Sequence, residues 1–252
     1  MVSSGHDPVG NPRHAGRSDP RLLRPYPRAQ PGLRKLPQRG CLKRGMAGFL
    51  TTLRGDLDAV HRNDPAAHNR LETALCHTPL HALVLHRVAH VLHARWRVPL
   101  LPRLLQVLGR FWSGVELHPG ARIGQGLFID HGTAVVIGET AEIGDDCVLF
   151  HNVTLGGTGR YDGKRHPSLG NSVYVGTGAI LLGPIRVGDN SRVGANSFII
   201  MRDVPPDCTV VGVPARIVKE RSERVDKELP ATRPPEASIP VPISNDAREA
   251  IS

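Results

Sequence analysis

The chain has 252 residues and a net charge of +9, but the charge is concentrated at one end. Ten Arg and Lys residues lie in residues 1–45 against two Asp residues, so this segment carries +8 of the total. The rest of the chain is nearly neutral, which argues against a nucleic-acid-binding protein. No apolar run reaches the roughly 18 residues needed to cross a membrane, so no membrane association is expected.

Residues 1–45 are predicted to be a disordered basic extension, because they contain seven prolines and no hydrophobic periodicity. An Arg-rich, acid-poor start is also typical of an organelle transit peptide. A third interpretation is translation from Met46, where a patterned helix begins at once. We favour a start at Met46 or a tail without function, and the sequence does not decide whether this segment is translated.

Residues 46–112 predict a small N-terminal helical domain. Apolar residues recur at helical spacing over residues 47–61, and Asp64-Pro65 predicts the N-cap and first turn of a second helix. A third helix is expected after Pro79, and a fourth over about residues 100–112. The third helix carries His86, His90 and His93 on one side, which we interpret as structural because no carboxylate or cysteine is near in sequence.

Residues 113–219 are dominated by aliphatic residues spaced six apart, many of them followed by glycine. This period fits neither an α-helix nor an alternating strand, and it is typical of the hexapeptide repeat of a parallel β-helix. Three short sides would make one coil of about 18 residues, with the aliphatic side chains stacked inside. A β-sandwich is the alternative, and regular repetition over so many positions argues against it. The positions are Leu117, Ile123, Ile129, Val135, Ile137, Ile143, Leu149, Leu155, Leu169, Val175, Leu181, Val187, Val193 and Ile199.

The predicted fold class is therefore α+β, with a small helical domain followed by a left-handed parallel β-helix. The left-handed twist comes from the repeat class and not from the spacing. Residues 220–252 are polar and rich in proline, and we predict that they form a flexible C-terminal tail. The isolated cysteines form no Cys-x-x-Cys motif, which favours a reduced, cytoplasmic protein.

One loop interrupts the repeat between Leu155 and Leu169, which are fourteen residues apart instead of twelve. The excess lies in a glycine-rich, charged segment, and loops on a rigid scaffold often carry function. Within it, the adjacent Arg165 and His166 would suit a carboxylate ligand. A solvated loop explains the same composition equally well.

His131 is the first candidate catalytic residue, because it occupies an outward position of a repeat. Glu116 lies fifteen residues earlier, close to one coil below. A carboxylate there could orient the imidazole and leave its other nitrogen to remove a proton from a hydroxyl. The alternative is a surface histidine beside a surface glutamate. Asp130 and Asp64 could hold an ammonium group, although Asp64 has an equally good role as an N-cap.

A zinc site is a competing hypothesis for the same histidine. His131 and His151 lie one coil apart and should stack, so a third histidine from a neighbouring chain would complete a Zn²⁺ site. A γ-type carbonic anhydrase uses the same prism in that way. No third ligand stands out here, and a helical domain is unexpected in that family.

Several segments form a distinctive combination: Asn63-Asp64-Pro65-Ala66-Ala67, His81-Ala82-Leu83, His86-Arg87-Val88-Ala89-His90, Glu116-Leu117-His118-Pro119-Gly120-Ala121, Asp130-His131-Gly132-Thr133, Ile137-Gly138-Glu139-Thr140-Ala141, Thr154-Leu155-Gly156-Gly157-Thr158-Gly159, Lys164-Arg165-His166-Pro167 and Gly212-Val213-Pro214-Ala215-Arg216. Together they resemble the serine O-acetyltransferases of the hexapeptide-repeat acyltransferase superfamily, over about residues 47–219. The hexapeptides and the last motif mark only the superfamily. The helical domain with Leu-Gly-Gly-Thr-Gly and Lys-Arg-His-Pro is specific to the serine enzyme.

This resemblance implies transfer of acetyl from acetyl-CoA to the L-serine hydroxyl, giving O-acetyl-L-serine in the first committed step of cysteine biosynthesis. It implies His131 as the general base, with Glu116 in the place of an orienting acid that is Asp in many members. Direct attack with one base needs no metal. The residues implied to hold the ammonium and carboxylate of serine are Asp64, Asp130, Arg165 and His166. The residues implied to line the CoA groove between prisms are Gly157, Thr177, Ala195 and, as a weaker candidate for phosphate, Lys219.

The family also implies L-cysteine as a feedback inhibitor in the serine pocket, and a homo-trimer or a dimer of trimers with sites between subunits. The short helical domain favours the trimer, but the sequence does not decide between the two, nor the strength of inhibition. In the family the C-terminus often ends in Ile and docks in O-acetylserine sulfhydrylase, whereas this chain ends Ala250-Ile251-Ser252. The final Ser argues against that partnership. The remaining alternatives are acetylation of another hydroxyl, such as a sugar or an antibiotic, and a prism that only binds partners.

Overall fold

The structure, a computed structural model, describes residues 46–159 and 163–232. The predicted basic extension at residues 1–45 lies outside the described residues, as does the C-terminal Ala250-Ile251-Ser252 considered for docking. Within the described ranges, helices are followed by a parallel β-solenoid whose longest parallel stack has five strands. The predicted order of a small helical domain and a left-handed β-helix is confirmed.

The second helix of the helical domain begins later than the sequence predicts. The prediction that Asp64 caps this helix is wrong. The helix begins at Arg70, and its N-cap is Asn69, whose side chain accepts the N–H of Leu71. Asp64 instead follows the first helix and accepts the N–H of Ala66 at 2.8 Å in a local turn. The helices are α1 Met46–Asn63, α2 Arg70–Cys76, α3 Thr78–Ala94 and α4 Leu100–Ser113.

Short strands make up the solenoid and its C-terminal extension. They are β1 Glu116–Leu117, β2 Arg122–Ile123, β3 Phe128–Asp130, β4 Val136–Ile137, β5 Glu142–Ile143, β6 Val148–Phe150, β7 Thr154–Gly156, β8 Ser168–Leu169, β9 Tyr174–Val175, β10 Ile180–Leu182, β11 Arg186–Val187, β12 Arg192–Val193, β13 Phe198–Ile200, β14 Cys208–Gly212, β15 Ala215–Glu220 and β16 Glu223–Glu228. Face A stacks β1, β4, β7, β10 and β13, and face B stacks β2, β5, β8 and β11. Face C stacks β3, β6, β9, β12 and β14, followed by β15 and β16.

The core of the prism is the predicted column of aliphatic side chains. On face A, Leu155 lies in register with Ile137 below and Leu181 above, and all three are at most 1% exposed. Each such side chain contributes about 1.5–3 kcal/mol relative to exposure. The corners need a left-handed backbone, and residues such as Asn190 and Asn196 supply it with φ values of 58° and 54°.

The C-terminal end of the prism extends beyond the predicted domain boundary at Lys219. There β14 pairs antiparallel with β15, and β15 pairs antiparallel with β16, so ordered strands continue to Glu228. Ion pairs from Arg216 to Asp226 and from Lys227 to Glu220 join the two charged strands, at 2.7 and 2.5 Å. The predicted start of a flexible tail at residue 220 is therefore too early.

A buried ion pair fastens the helical domain to the first coil. Arg87 of α3 donates to both carboxylate oxygens of Asp56 of α1 at 3.2 Å, and both side chains are at most 3% exposed. The same guanidinium donates to the carbonyls of Ile123 and Gly124, and the N–H of Gly126 donates to Asp56 at 2.9 Å. These contacts fix α1 and α3 against the prism. Among the described residues, no helix is both long and apolar enough to cross a membrane.

Candidate active site

The predicted site residues lie mainly at two corners of the prism. The C–A corner is the edge where the chain leaves face C and enters face A of the next coil, as after β3 and β6. The A–B corner is the edge where it passes from face A to face B, as after β4 and β7. Side chains at these corners project from a rigid frame, which is a favourable place for binding and catalysis.

His131 lies at the first C–A corner, directly after β3. Its backbone is left-handed, with φ of 60°, and its side chain is 72% exposed. His151 occupies the same corner one coil further along, as the spacing predicts, and the two rings meet edge to face with their centroids 5.6 Å apart. The His131 imidazole is therefore open to a ligand at the surface.

One carboxylate lies next to His131. Asp130 Oδ1 is 3.7 Å from His131 Nε2. Burial lowers the pKa of His77 below its usual value, against the opposing negative charges of Asp64 and Asp130. Both carboxylates therefore act electrostatically on His77, the N-cap residue of α3. A carboxylate beside an open imidazole suits a ligand that carries an ammonium group and a hydroxyl.

Glu116 lies in β1 and bonds to the last turns of α4. Its carboxylate is 2.8 Å from Arg110 Nη1 and accepts a hydrogen bond from Gln106 Nε2 at 3.1 Å. Within the described ranges, no hydrogen bond or ion pair joins Glu116 to His131, and the carboxylate within ion-pair distance of His131 is that of Asp130. The Glu116–His131 dyad therefore stays a prediction.

Arg165 and His166 lie at the A–B corner, at the end of the loop that leaves the prism after β7. The guanidinium of Arg165 is paired with the carboxylate of Glu139, which follows β4. Burial, assisted by the charges of Arg165 and Lys164, lowers the pKa of His166 to about 4. The imidazole is thus neutral near pH 7. Thr140 N–H donates to its Nδ1 at 3.2 Å, so the ring proton lies on Nε2.

This pair of adjacent donors, the Arg165 guanidinium and the His166 Nε2–H, is suited to a carboxylate. A glycine on the prism makes room for the His166 ring. A Cβ added to Gly138 would overlap the His166 ring, so only glycine at this corner allows the imidazole to pack as it does.

Sequence reasoning missed several residues that shape the two corners. His77 is influenced by the negative charges of Asp64 and Asp130, and Glu139 and Thr140 hold the Arg165–His166 pair. Lys164 Nζ donates to the Thr140 carbonyl at 2.5 Å, and burial lowers the pKa of Lys164 to about 8. The signal that could have identified them is the family resemblance, because the segments that carry it include Glu139, Thr140 and Lys164. No spacing rule links a residue after β4 to a loop that begins after β7.

The predicted CoA residues do not share one corner. Thr177 and Ala195 continue the C–A corner above His131 and His151, where the N–H of Gly178 donates to the His151 carbonyl at 3.1 Å. The N–H of Asn196 donates in turn to the Thr177 carbonyl at 2.7 Å. Gly157 follows β7 at the A–B corner, and Lys219 lies in β15, paired with Thr209 of β14.

Face A separates the two groups of predicted substrate-binding residues within one chain. Asp130 and His131 lie at the C–A corner, where face A begins. Arg165 and His166 lie at the A–B corner, where face A ends. In the part of the chain that the structure describes, no group of three or more His, Cys, Asp or Glu side chains is arranged to hold a metal ion.

Comparisons with known proteins give a consistent result. A family model for the bacterial transferase hexapeptide (six repeats) matches residues 166–200. The chain is 56% identical to a serine acetyltransferase of Synechococcus elongatus over 69% of this chain and 71% of that protein. It is 54% identical to a serine acetyltransferase of Helicobacter pylori over 66% of this chain and 96% of that protein.

Solved structures are similar over the same region. A serine acetyltransferase from Brucella abortus in complex with coenzyme A aligns with a TM-score of 0.67 and 39% identity, covering 71% of each chain. A Neisseria gonorrhoeae serine acetyltransferase in complex with serine aligns with a TM-score of 0.64 and 39% identity, covering 69% of this chain and 70% of that chain.

Proposed function

Because this chain belongs to the serine acetyltransferase family and transfers acetyl from acetyl-CoA to the hydroxyl of L-serine, we propose that His131 is the general base of that reaction. The observation that supports this role is the open imidazole at the C–A corner, 3.7 Å from the Asp130 carboxylate. In our proposal Asp130 and Asp64 hold the ammonium group of serine, which would bring its hydroxyl beside His131.

The proposed chemistry is a direct transfer. His131 removes the proton of the serine hydroxyl as the oxygen attacks the acetyl carbonyl carbon. The tetrahedral intermediate collapses with cleavage of the carbon–sulfur bond, and the proton on His131 passes to the departing CoA sulfur. The products are O-acetyl-L-serine and CoA, and no acetyl group is attached to the protein. In this scheme Glu116 orients His131 once the site is assembled.

We assign the serine carboxylate to the other corner. The Arg165 guanidinium and the His166 Nε2–H are the donors, and the neutral state of His166 leaves Arg165 as the cation that neutralises the ligand. L-Cysteine has the same ammonium and carboxylate groups, so we propose that it inhibits by occupying this pocket. For acetyl-CoA we propose the groove between neighbouring prisms, with Gly157, Thr177, Ala195 and Lys219 as contacts.

We propose that a complete site needs two copies of the chain. Because the base and the carboxylate donors lie at opposite edges of face A, one serine molecule can reach both only if the edges come from neighbouring prisms. A homo-trimer meets this requirement three times with one kind of interface. We further propose a cytoplasmic location, where the Cys147 thiol, whose pKa burial raises to about 12, would stay reduced.

The activity is tested by release of free CoA thiol from acetyl-CoA, with and without L-serine and then with added L-cysteine. We expect serine-dependent release that cysteine suppresses competitively with serine. Serine-dependent release that cysteine leaves unchanged would contradict the shared pocket. Absence of release with serine, but release with a sugar or another hydroxyl acceptor, would contradict the proposed acceptor.

The shared site is tested by mixing two inactive variants, His131→Ala and Arg165→Ala. If each site combines one edge from each of two copies, mixed oligomers contain some sites with both residues intact, and activity returns. Neither variant alone is expected to recover when it is dissociated and reassembled. Mixed oligomers that form, as shown by a tagged copy, and remain inactive would contradict a site built from two chains.

A further inference from the structure

We infer that Thr140 is a positioning residue that holds Arg165 and His166 in the geometry that binds the substrate carboxylate. This inference rests on the proposed function, because it concerns the same carboxylate site. Thr140 follows β4 at the A–B corner and is half-buried. Its place on the rigid prism makes it an anchor for the loop that crosses it.

The hydroxyl of Thr140 uses its full hydrogen-bonding capacity on the loop. Its oxygen accepts the N–H of Arg165 at 3.0 Å and the N–H of His166 at 3.1 Å. A hydroxyl has two acceptor positions and one proton, so the proton is left to donate to His166 Nδ1, 2.9 Å away. One oxygen thus fixes the backbone of both residues and one ring nitrogen.

The backbone of Thr140 adds two more contacts to the same segment. Its N–H donates to His166 Nδ1 at 3.2 Å, and its carbonyl accepts Lys164 Nζ at 2.5 Å. A single residue of the prism therefore engages three consecutive loop residues. Glu139, the preceding residue, pairs with the Arg165 guanidinium, so both donor groups are oriented from one corner.

These contacts have a chemical consequence for the imidazole. With two donors aimed at Nδ1, the neutral ring must carry its proton on Nε2, which is the nitrogen left to face a ligand. Loss of the Thr140 hydroxyl would leave two loop N–H groups without their acceptor and would weaken control of the ring orientation. A methyl group in place of the hydroxyl keeps the size of the side chain, so the change isolates the hydrogen bonds.

The test compares Thr140→Val with Thr140→Ser, which keeps the hydroxyl. For Thr140→Val we expect the KM for L-serine to rise about 10- to 100-fold, with kcat and the KM for acetyl-CoA within about threefold of wild type. Thr140→Ser should restore the KM for serine to within about threefold. Thr52→Val, a change of the same type at a half-buried threonine of α1, serves as the matched control and should leave both KM values unchanged.

A second measurement does not depend on activity. Without the Thr140 anchor, trypsin should cleave after Lys164 or Arg165 several times faster, as followed by mass spectrometry on folded protein. A normal KM for serine in Thr140→Val, or equal cleavage rates in Thr140→Val and Thr52→Val, would overturn the inference. If the wild-type protein lacked serine-dependent turnover while the cleavage difference remained, the proposed function would fail and the anchoring role would stand.

Discussion

The two corners that carry the predicted substrate contacts are built in opposite ways. At the A–B corner, Thr140 and Glu139 hold His166 and Arg165 through several hydrogen bonds and an ion pair. At the C–A corner, His131 is 72% exposed and has one carboxylate, Asp130, at 3.7 Å. A single chain therefore carries one prearranged half, which we propose binds the substrate carboxylate, and one open half, which we propose carries the base. The second half would gain its remaining contacts from a neighbouring prism.

The largest effect is expected at the open corner. His131→Ala should lower kcat about 10²- to 10⁴-fold, which is the usual contribution of a general base. Because the side chain is largely exposed, the melting temperature should change little. Steady-state CoA release and thermal unfolding measure the two quantities. The control is His68→Ala, which changes another exposed histidine. A His131→Ala enzyme with near-wild-type kcat would contradict the assignment of His131 as the general base.

The next effect concerns the buried ion pair that holds α1 and α3 of the helical domain against the first coil of the prism. Arg87→Met should lower the free energy of unfolding by about 3–5 kcal/mol, because it leaves the buried Asp56 carboxylate without its partner. Serine binding should weaken together with stability. Denaturant unfolding measures the change. The control is Arg70→Met, whose ion pair with Asp58 is exposed and should contribute less than about 1 kcal/mol. Equal losses for both variants would contradict the role of the buried pair.

A smaller effect is expected at the prearranged corner. Gly138→Ala places a methyl group against the His166 ring and should raise the KM for L-serine about tenfold, while kcat at saturating serine falls less. Kinetics with serine as the varied substrate measure this. Gly55→Ala in α1, where an added Cβ meets only ordinary contacts, should leave the KM unchanged. An unaltered KM in Gly138→Ala would mean that the observed ring position does not matter for binding.

The smallest effect is a loss of stability in acid. Burial lowers the pKa of both His118 and His166 to about 4, below their usual value near 6.5. The folded protein therefore binds fewer protons than the unfolded chain between these values, so stability is full above about pH 6.5 and decreases as the pH falls towards 4. We expect the melting temperature to drop by about 5 °C between pH 7 and pH 5, and His118→Gln to reduce that drop. A flat profile in both proteins would contradict the prediction.

The sequence predicts the frame well because the frame is periodic. Leu155, Leu169 and Leu181 repeat at positions that only a stacked coil explains, and the His131–His151 column follows from the same period. Local chemistry is harder to predict. Asp64 followed by proline matches a helix N-cap, yet its carboxylate closes a turn with Ala66, and Asn69 caps the helix.

Long-range partners carry no periodic signal. The contacts of Glu116 with Arg110 and Gln106 depend on how α4 meets β1, which residue spacing does not encode. The Thr140 contacts depend on a loop that returns to the previous coil. The strand β16 is highly charged and was predicted as part of a tail, but pairing with β15 and cross-strand ion pairs stabilise it.

The loop after β7 leaves the stacking of the prism undisturbed on both sides. Leu155 before it is in register with Leu181, and Leu169 after it is in register with Ile143 and Val187. The segment between Leu155 and Leu169 is therefore an insertion that does not shift the register of the coils. Its length and charge can diversify, by evolution or by protein engineering, while the coils on either side stay paired as they are.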